Sequence, residues 1–375
     1  MNLKPETDPE ILRYHLALSQ APKVGPGIFK AILAYSGSAK AFFNLTKGRA
    51  SKIPRVGEKL LAIQKQAESL LKSADDLINL SEKKGFKIIS STDPNFPSRL
   101  KMQEDGPVIL FTQGNGELNF ERSVGIVGTR SATTYGKSIT RKIVDDLLPY
   151  QPVIVSGLAY GIDIEAHRAA LQVGLPTIAV MGSPITQVYP AVHKKTAEQL
   201  QETGILMSEY APGSTMVPGN FPARNRIIAS LSDALIVVEA AERGGALITA
   251  EIAYSYNKDV FAVPGNLQSP FSEGCNHLIR KMKASIYTGP GDIAEALFWS
   301  KPGEEKIKKP ELDLAGRDKE DTVILKLLLE KGESEIDQIS YQTEIPLGML
   351  SSRLLSLEFE GIVKSLPGKK FKLLV

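Results

Sequence analysis

"DALIVVEAAERGGALITAEIAYSYN", residues 233–257, reads as a buried strand, a glycine turn and a helix in immediate succession. The run from Ala234 to Val238 is apolar without alternation, which suits a strand covered on both faces. Gly244 and Gly245 punctuate the chain before a segment of helical length. Five other segments carry the same kind of run: "SVGIVG" (123–128), "PVIVSG" (152–157), "PTIAVMG" (176–182), "GILMSEY" (204–210) and "DVFAVPG" (259–265). Short apolar runs joined by helical crossovers predict an open α/β sheet, with strands from about residue 105 to 298. A ligand is then expected beyond the carboxyl ends of the strands, where the glycines concentrate.

On either side of the sheet the pattern changes. Residues 1–85 read as a small helical domain of helix-hairpin-helix or SAM-like type, with glycine turns in "APKVGPGIFKAILAYSG" (21–37) and "KIPRVGEKLLAIQKQ" (52–66). The sheet domain is placed at 86–300. Residues 301–320 hold six basic and six acidic side chains and read as a solvated linker. From 321 to 375 three helical segments precede "GIVKSL" and "KKFKLLV", joined by the turn "PGKK", the order of a winged helix. That last segment carries seven basic and eight acidic residues, a poor balance for entering a DNA groove.

The chain has 375 residues, 42% of them hydrophobic, and a formal charge of only +3, so attraction for a polyanion must come from local clustering. Its single cysteine, Cys275, excludes a disulfide framework and a cysteine zinc site. No metal site or cofactor is expected. "MNLKPETDPE" has no signal-like run and no stretch is apolar enough to span a membrane, which predicts a cytoplasmic protein with no membrane partner.

The candidate residues lie at the strand ends. "GIVGTRSATTYGKS" is a near miss to a P-loop, because the first glycine of that pattern falls on Ser131. A dinucleotide fingerprint also fails, since the next strand ends in Ser156 where a ribose-binding acid belongs. What survives is a phosphate-type donor set: Gly128, Arg130 and Thr133 at a helix start. Ser156 with Gly157, Gly182 with Ser183, and Gly244 with Gly245 repeat the theme. In "FPARNRIIA" (221–229), Arg224 and Arg226 supply forked cationic donors, with Asn225 between them as support. Phe221 is a candidate for base stacking or for a hydrophobic contact. Glu239 is expected to hold Arg224 or Arg226 in place, and Asp163 to cap a helix. His167, His193 and Cys275 lack partners at catalytic spacing, so no catalytic residue is assigned.

Together these segments resemble the DNA processing protein A family, DprA, also called Smf. The resemblance rests on "GTRSATTYG", "SGLAYGIDIEAH", "MGSPITQVYP", "SEYAPG", "FPARNRIIA", "GGALITAEIA", "VPGN" and "EGCNHLI" in that order, and more loosely on the two ends of the chain. It implies an extended Rossmann-like domain that binds single-stranded DNA without catalysis, protects it, dimerises, and helps load the RecA recombinase in natural transformation. Arg130, Arg224 and Arg226 are the phosphate ligands it implies. Two alternatives stay open. A nucleotide phosphoribohydrolase would need a PGGxGTxxE segment, which "ERGGALITAE" departs from. A transcriptional regulator would read DNA with the winged helix and use the sheet as a ligand sensor.

Overall fold

The computed structural model describes residues 8–50, 52–54, 63–301, 317–366 and 369–374. Most of the expected linker, much of the second glycine turn of the helical segment and half of the "PGKK" turn lie outside them. The chain divides into two compact units, residues 1–302 and 303–375.

The first unit begins with α1 (Pro9–Ser19), α2 (Pro26–Ser36), α3 (Ala39–Phe43), α4 (Lys47–Ala50) and α5 (Ala67–Lys84). Asp8 caps α1 and Pro9 opens it, while Gly37 and Gly85 end α2 and α5 in the left-handed conformation. The sheet follows: β1 (Lys87–Ser90), β2 (Ile109–Gln113), β3 (Ser123–Val127), β4 (Val153–Ser156), β5 (Thr177–Met181), β6 (Ile205–Ser208), β7 (Ala234–Val237), β8 (Asp259–Ala262) and β9 (Ser285–Ile286). Its spatial order is β1-β2-β6-β5-β4-β3-β7-β8-β9, parallel from β6 to β9 and antiparallel at β1 and β2. All six strands expected from the apolar runs are present. The short strands β1, β2 and β9 extend the sheet at its edges.

The pleat divides the strand residues between two cores. Val124, Ile126, Ile154, Ile236 and Phe261 face one side, under the helices Thr134–Leu147 and Ile162–Val173. Val127, Val155, Val180, Leu235 and Val237 face the other, under the helices Asn220–Leu231 and Gly245–Ser255. Each large aliphatic side chain so buried contributes about 1.5–3 kcal/mol, which is why the uninterrupted runs were needed. The N-terminal helices are not set apart from this core at residue 85. Leu16, Phe29, Ile32 and Phe42 join Phe111, Ala179, Met181 and Leu206 in one cluster that closes the β5-β6-β2 end of the sheet.

The second unit is the expected winged helix: helices Lys319–Lys331, Ile336–Thr343 and Leu347–Phe359, and a three-stranded antiparallel sheet. Beyond the two expected strands, the short strand Glu333–Glu335 completes that sheet. Arg353 in the third helix is tied to Asp318 at 2.6 Å and lies within 3.8 Å of Asp321 and Glu320. No helix among the described residues is long and apolar enough to cross a membrane.

His167 sits in the first core with no exposure. The Thr177 hydroxyl donates to the Ile154 carbonyl at 2.8 Å, so it accepts from His167 Nδ1 at 2.7 Å, and Nε2 is left without a hydrogen-bond partner. Burial pushes this imidazole down to about 3. Below the unfolded value near 6.5 the unfolded chain takes up a proton that the folded chain refuses, so stability falls with falling pH until about 3. From pH 7 to pH 5 His167 alone should remove about 2 kcal/mol. Urea unfolding followed by Trp299, the single tryptophan, checks this, with His167→Gln expected to flatten the dependence by about one proton.

Candidate functional site

Strand order reverses between β3 and β7, and there a cavity of about 350 Å³ opens at the carboxyl edge of the sheet. Gly128, Arg130, Asp163, Phe221, Arg224, Arg243, Gly244 and Gly245 are among its lining residues. Counting the helices of the first unit in order, α6 is the turn Ser98–Lys101, α7 is Thr134–Leu147, α8 Ile162–Val173, α9 Lys194–Thr203, α10 Asn220–Leu231 and α11 Gly245–Ser255.

Arg224 forms the floor. It projects from α10 and is only 4% exposed, although α10 also carries Ile227, Ile228 and Leu231 into the core. Its Nη1 donates to the Gly157 carbonyl at 2.7 Å and to the Val180 carbonyl, and its Nε donates to Asn225 Oδ1 at 3.1 Å. Asn225 Nδ2 in turn donates to the Gly245 carbonyl at 3.3 Å. One guanidinium therefore links α10 to the ends of β4 and β5, and its neighbour links α10 to the start of α11.

Gly157 has to be glycine for this arrangement. A Cβ there would stand 2.5 Å from both terminal nitrogens of Arg224 and from Asp163 Oδ2. Burial pushes the Asp163 carboxyl up, against the pull of Arg224 and the Ala159 amide. Burial also draws Arg224 down to about 10, opposed by Asp163, which leaves it cationic at neutral pH. The lining thus sets Arg130, Arg224 and Arg243 against the single carboxylate of Asp163. Gly244 precedes α11 with no side-chain cap, so the first amides of that helix add donors without formal charge.

Several expected residues take other places. Glu239 does not hold either arginine. Its Oε1 accepts from the Thr133 hydroxyl at 2.6 Å and its Oε2 from the Thr133 amide at 3.0 Å, while the same hydroxyl accepts from the Gly136 amide at 3.0 Å. That correction has a steric reason: α7 starts directly over the end of β7, where a Cβ on Gly136 would meet Glu239 Oε2 at 2.0 Å. Arg226 lies away from the cavity lining and pairs with Glu209 at 2.6 Å. Ser156 does not face a ligand, because its buried hydroxyl donates to the Ile126 carbonyl at 2.6 Å. Ser183 likewise donates to the Gln187 carbonyl at 2.6 Å. Gly182 lies behind Phe221, whose Cδ1 would be 2.7 Å from a Cβ there. Asp163 stands second in α8, and Gly161 holds the cap position. Arg243 was missed, and the signal was a cation immediately before a Gly-Gly turn at a strand end.

The remaining titratable groups are ordinary core groups. His193 Nδ1–H donates to the Leu158 carbonyl at 2.8 Å, and Glu165 accepts from Arg141 at 2.5 Å. Burial pushes the Cys275 thiol up to about 12, which keeps it protonated and unreactive.

An open doubly wound sheet with an arginine-lined cavity at its switch point defines a Rossmann-like domain, here accompanied by a winged helix. The family described as DNA recombination-mediator protein A matches residues 87–298, and the DprA winged helix domain matches 308–369. Protein Smf of Synechocystis is 32% identical, covering 96% of this chain and 98% of its own. DNA processing protein DprA of Streptococcus pneumoniae is 40% identical over 60% of this chain and 79% of its own. A solved S. pneumoniae DprA structure superposes with a TM-score of 0.60 at 32% identity, covering 75% of this chain and 95% of that one. A Helicobacter pylori structure, described by its single-stranded DNA binding mode, gives 0.50 at 29% identity over 56% and 95%. This chain belongs to the DNA recombination-mediator protein A family, DprA or Smf.

Because Arg224 balances a buried carboxyl and two strand-end carbonyls, Arg224→Ala should destabilise the first unit by about 3 kcal/mol. Arg130→Ala, an exposed position, should change stability by less than about 0.5 kcal/mol. Urea unfolding read by Trp299 separates the two.

Proposed function

We propose that the switch-point cavity binds single-stranded DNA through its phosphates and that the protein acts in recombination without catalysing a reaction. The observation that carries this reading is the excess of permanent positive charge in a confined lining, three arginines facing one carboxylate that burial drives toward its neutral form. Sequence-neutral strand binding needs phosphate donors and ring faces, and no general base. Membership of a recombination-mediator family and likeness to an H. pylori protein described by its single-stranded DNA binding support the same reading. Within it, a homodimer in the cytoplasm protects incoming strands and hands them to the RecA recombinase during natural transformation.

The phosphoribohydrolase alternative needs a carboxylate free to meet a nucleotide. Glu239 is engaged by Thr133, Glu251 pairs with Lys283 at 2.6 Å, and Glu242 does not line the cavity. The regulator alternative needs a cationic reading helix. The arginine of the third winged-helix helix is engaged by acids, and Leu347, Met349, Leu355 and Phe359 are exposed on that helix.

Fluorescence anisotropy with oligo(dT) and its duplex across a salt series tests the proposal. The intact protein should prefer the single strand and weaken with salt. Arg130→Ala/Arg243→Ala should lower the salt slope by about 1.4, the value for two lost phosphate contacts on a single strand. A folded double variant with unchanged affinity and slope would remove the cavity from the DNA path.

A further inference from the structure

We propose that Tyr160 and Tyr189 form a base-stacking subsite on the rim of the cavity, taking nucleobases that flank the phosphate held inside. The inference rests on the single-strand reading of the cavity and adds where the bases go.

Contacts trace a circuit that joins the loops after β3, β4 and β5 to Phe221 of the cavity lining. In the loop after β4, Gly161 packs so closely on the loop after β3 that a Cβ would stand 2.1 Å from the Thr129 carbonyl oxygen and 2.7 Å from the Arg130 carbonyl carbon. Tyr160 precedes this glycine, and its ring meets His193 edge-on at 5.1 Å. His193 and Tyr189 belong to one five-residue segment after β5. The Tyr189 ring lies 5.3 Å from Phe221, and the Arg130 guanidinium lies 6.0 Å from the same Phe221 ring, which closes the circuit.

Phe221 is the less available ring of the three. It is half-buried, with Gly182 behind it, Tyr189 beside it and Arg130 over it. Tyr160 and Tyr189 are 49% and 46% exposed. Scattered surface tyrosines are ordinary, but Tyr160 follows the lining residue Ala159, Tyr189 packs on the lining residue Phe221, and both rest on immobilised neighbours. His193 is buried and fixed to the Leu158 carbonyl. The loop bearing Tyr189 is braced twice: Ser183 donates to the Gln187 carbonyl at 2.6 Å, and Ser208 donates to the Ser183 carbonyl at 2.7 Å. Rings held in place before binding lose little conformational freedom when a base stacks on them. A phosphate at Arg130 and bases on the adjoining rings is the pairing of charge and π-face that a sequence-tolerant strand binder uses.

The test compares oligo(dT) with an abasic strand of equal length and phosphate number, using the full chain and its Tyr160→Ala, Tyr189→Ala, Tyr160→Phe and Tyr189→Phe variants. Each alanine variant should weaken oligo(dT) binding roughly 5- to 150-fold, the usual worth of one stacked base. Affinity for the abasic strand and the salt slope should stay at wild-type values, and the phenylalanine variants should bind oligo(dT) like wild type. Alanine variants that bind oligo(dT) as wild type does, or lose equally on both strands, would overturn the stacking subsite while leaving the cavity reading intact. If Arg130→Ala/Arg243→Ala binds both strands as wild type does, the cavity reading falls and the subsite falls with it.

Discussion

The buried guanidinium of Arg224 is the interaction on which the site depends. It binds the chain just past β4 through Gly157 and the end of β5 through Val180, and it keeps Asp163 from being an isolated buried acid. An arginine suits this place because its planar fork offers several fixed donors and stays charged when burial lowers its pKa to about 10. A lysine there would bring a point charge with a single nitrogen, unable to reach both carbonyls and the Asn225 amide oxygen at once. The same group is therefore a structural cross-link below and a source of positive potential above.

Much of the architecture was legible in the sequence because the central strands are covered on both faces. Runs such as "VIVS" and "ALIV" leave no alternation to misread, and each became a strand. The parts that were not legible are those whose partners are distant. An apolar stripe on α1 or α2 announces that it will be buried, yet nothing in it says that Phe111, Met181 and Leu206 of the sheet are what it covers. The edge strand β9 has only two residues, and β1, "KIIS", has only two apolar residues, too few for a run to stand out.

The side-chain roles divide in the same way. Gly128, Gly244, Gly245, Arg130, Arg224 and Phe221 do converge on one cavity, because a parallel sheet delivers the segments that follow its strands to one edge. Partner choice among charges was not readable. Glu239 lies closer in sequence to Arg226 than to Thr133, but α7 begins over the end of β7 and brings the Thr133 hydroxyl and amide to the carboxylate first. Arg226 is then left to Glu209, and neither residue lines the cavity. Ser156 and Ser183 illustrate the same limit. A hydroxyl at a strand end can face a ligand or satisfy a neighbouring carbonyl, and with 0% and 1% exposure both do the second.

A chain with a net charge of only +3 can still favour an anion at one place, because potential depends on what surrounds each charge as well as on the sum. Four other arginines of the first unit are each paired with a carboxylate: Arg13 with Asp75, Arg99 with Asp233, Arg141 with Glu165 and Arg226 with Glu209. In the cavity lining cations outnumber acids. Arg130, Arg224 and Arg243 line it together with one carboxyl that is itself desolvated, and the uncapped start of α11 adds oriented amides. Gly244 and Gly245 let a ligand approach those amides with no side chain in the way. The lining is thus locally cationic, which the overall composition could not have revealed.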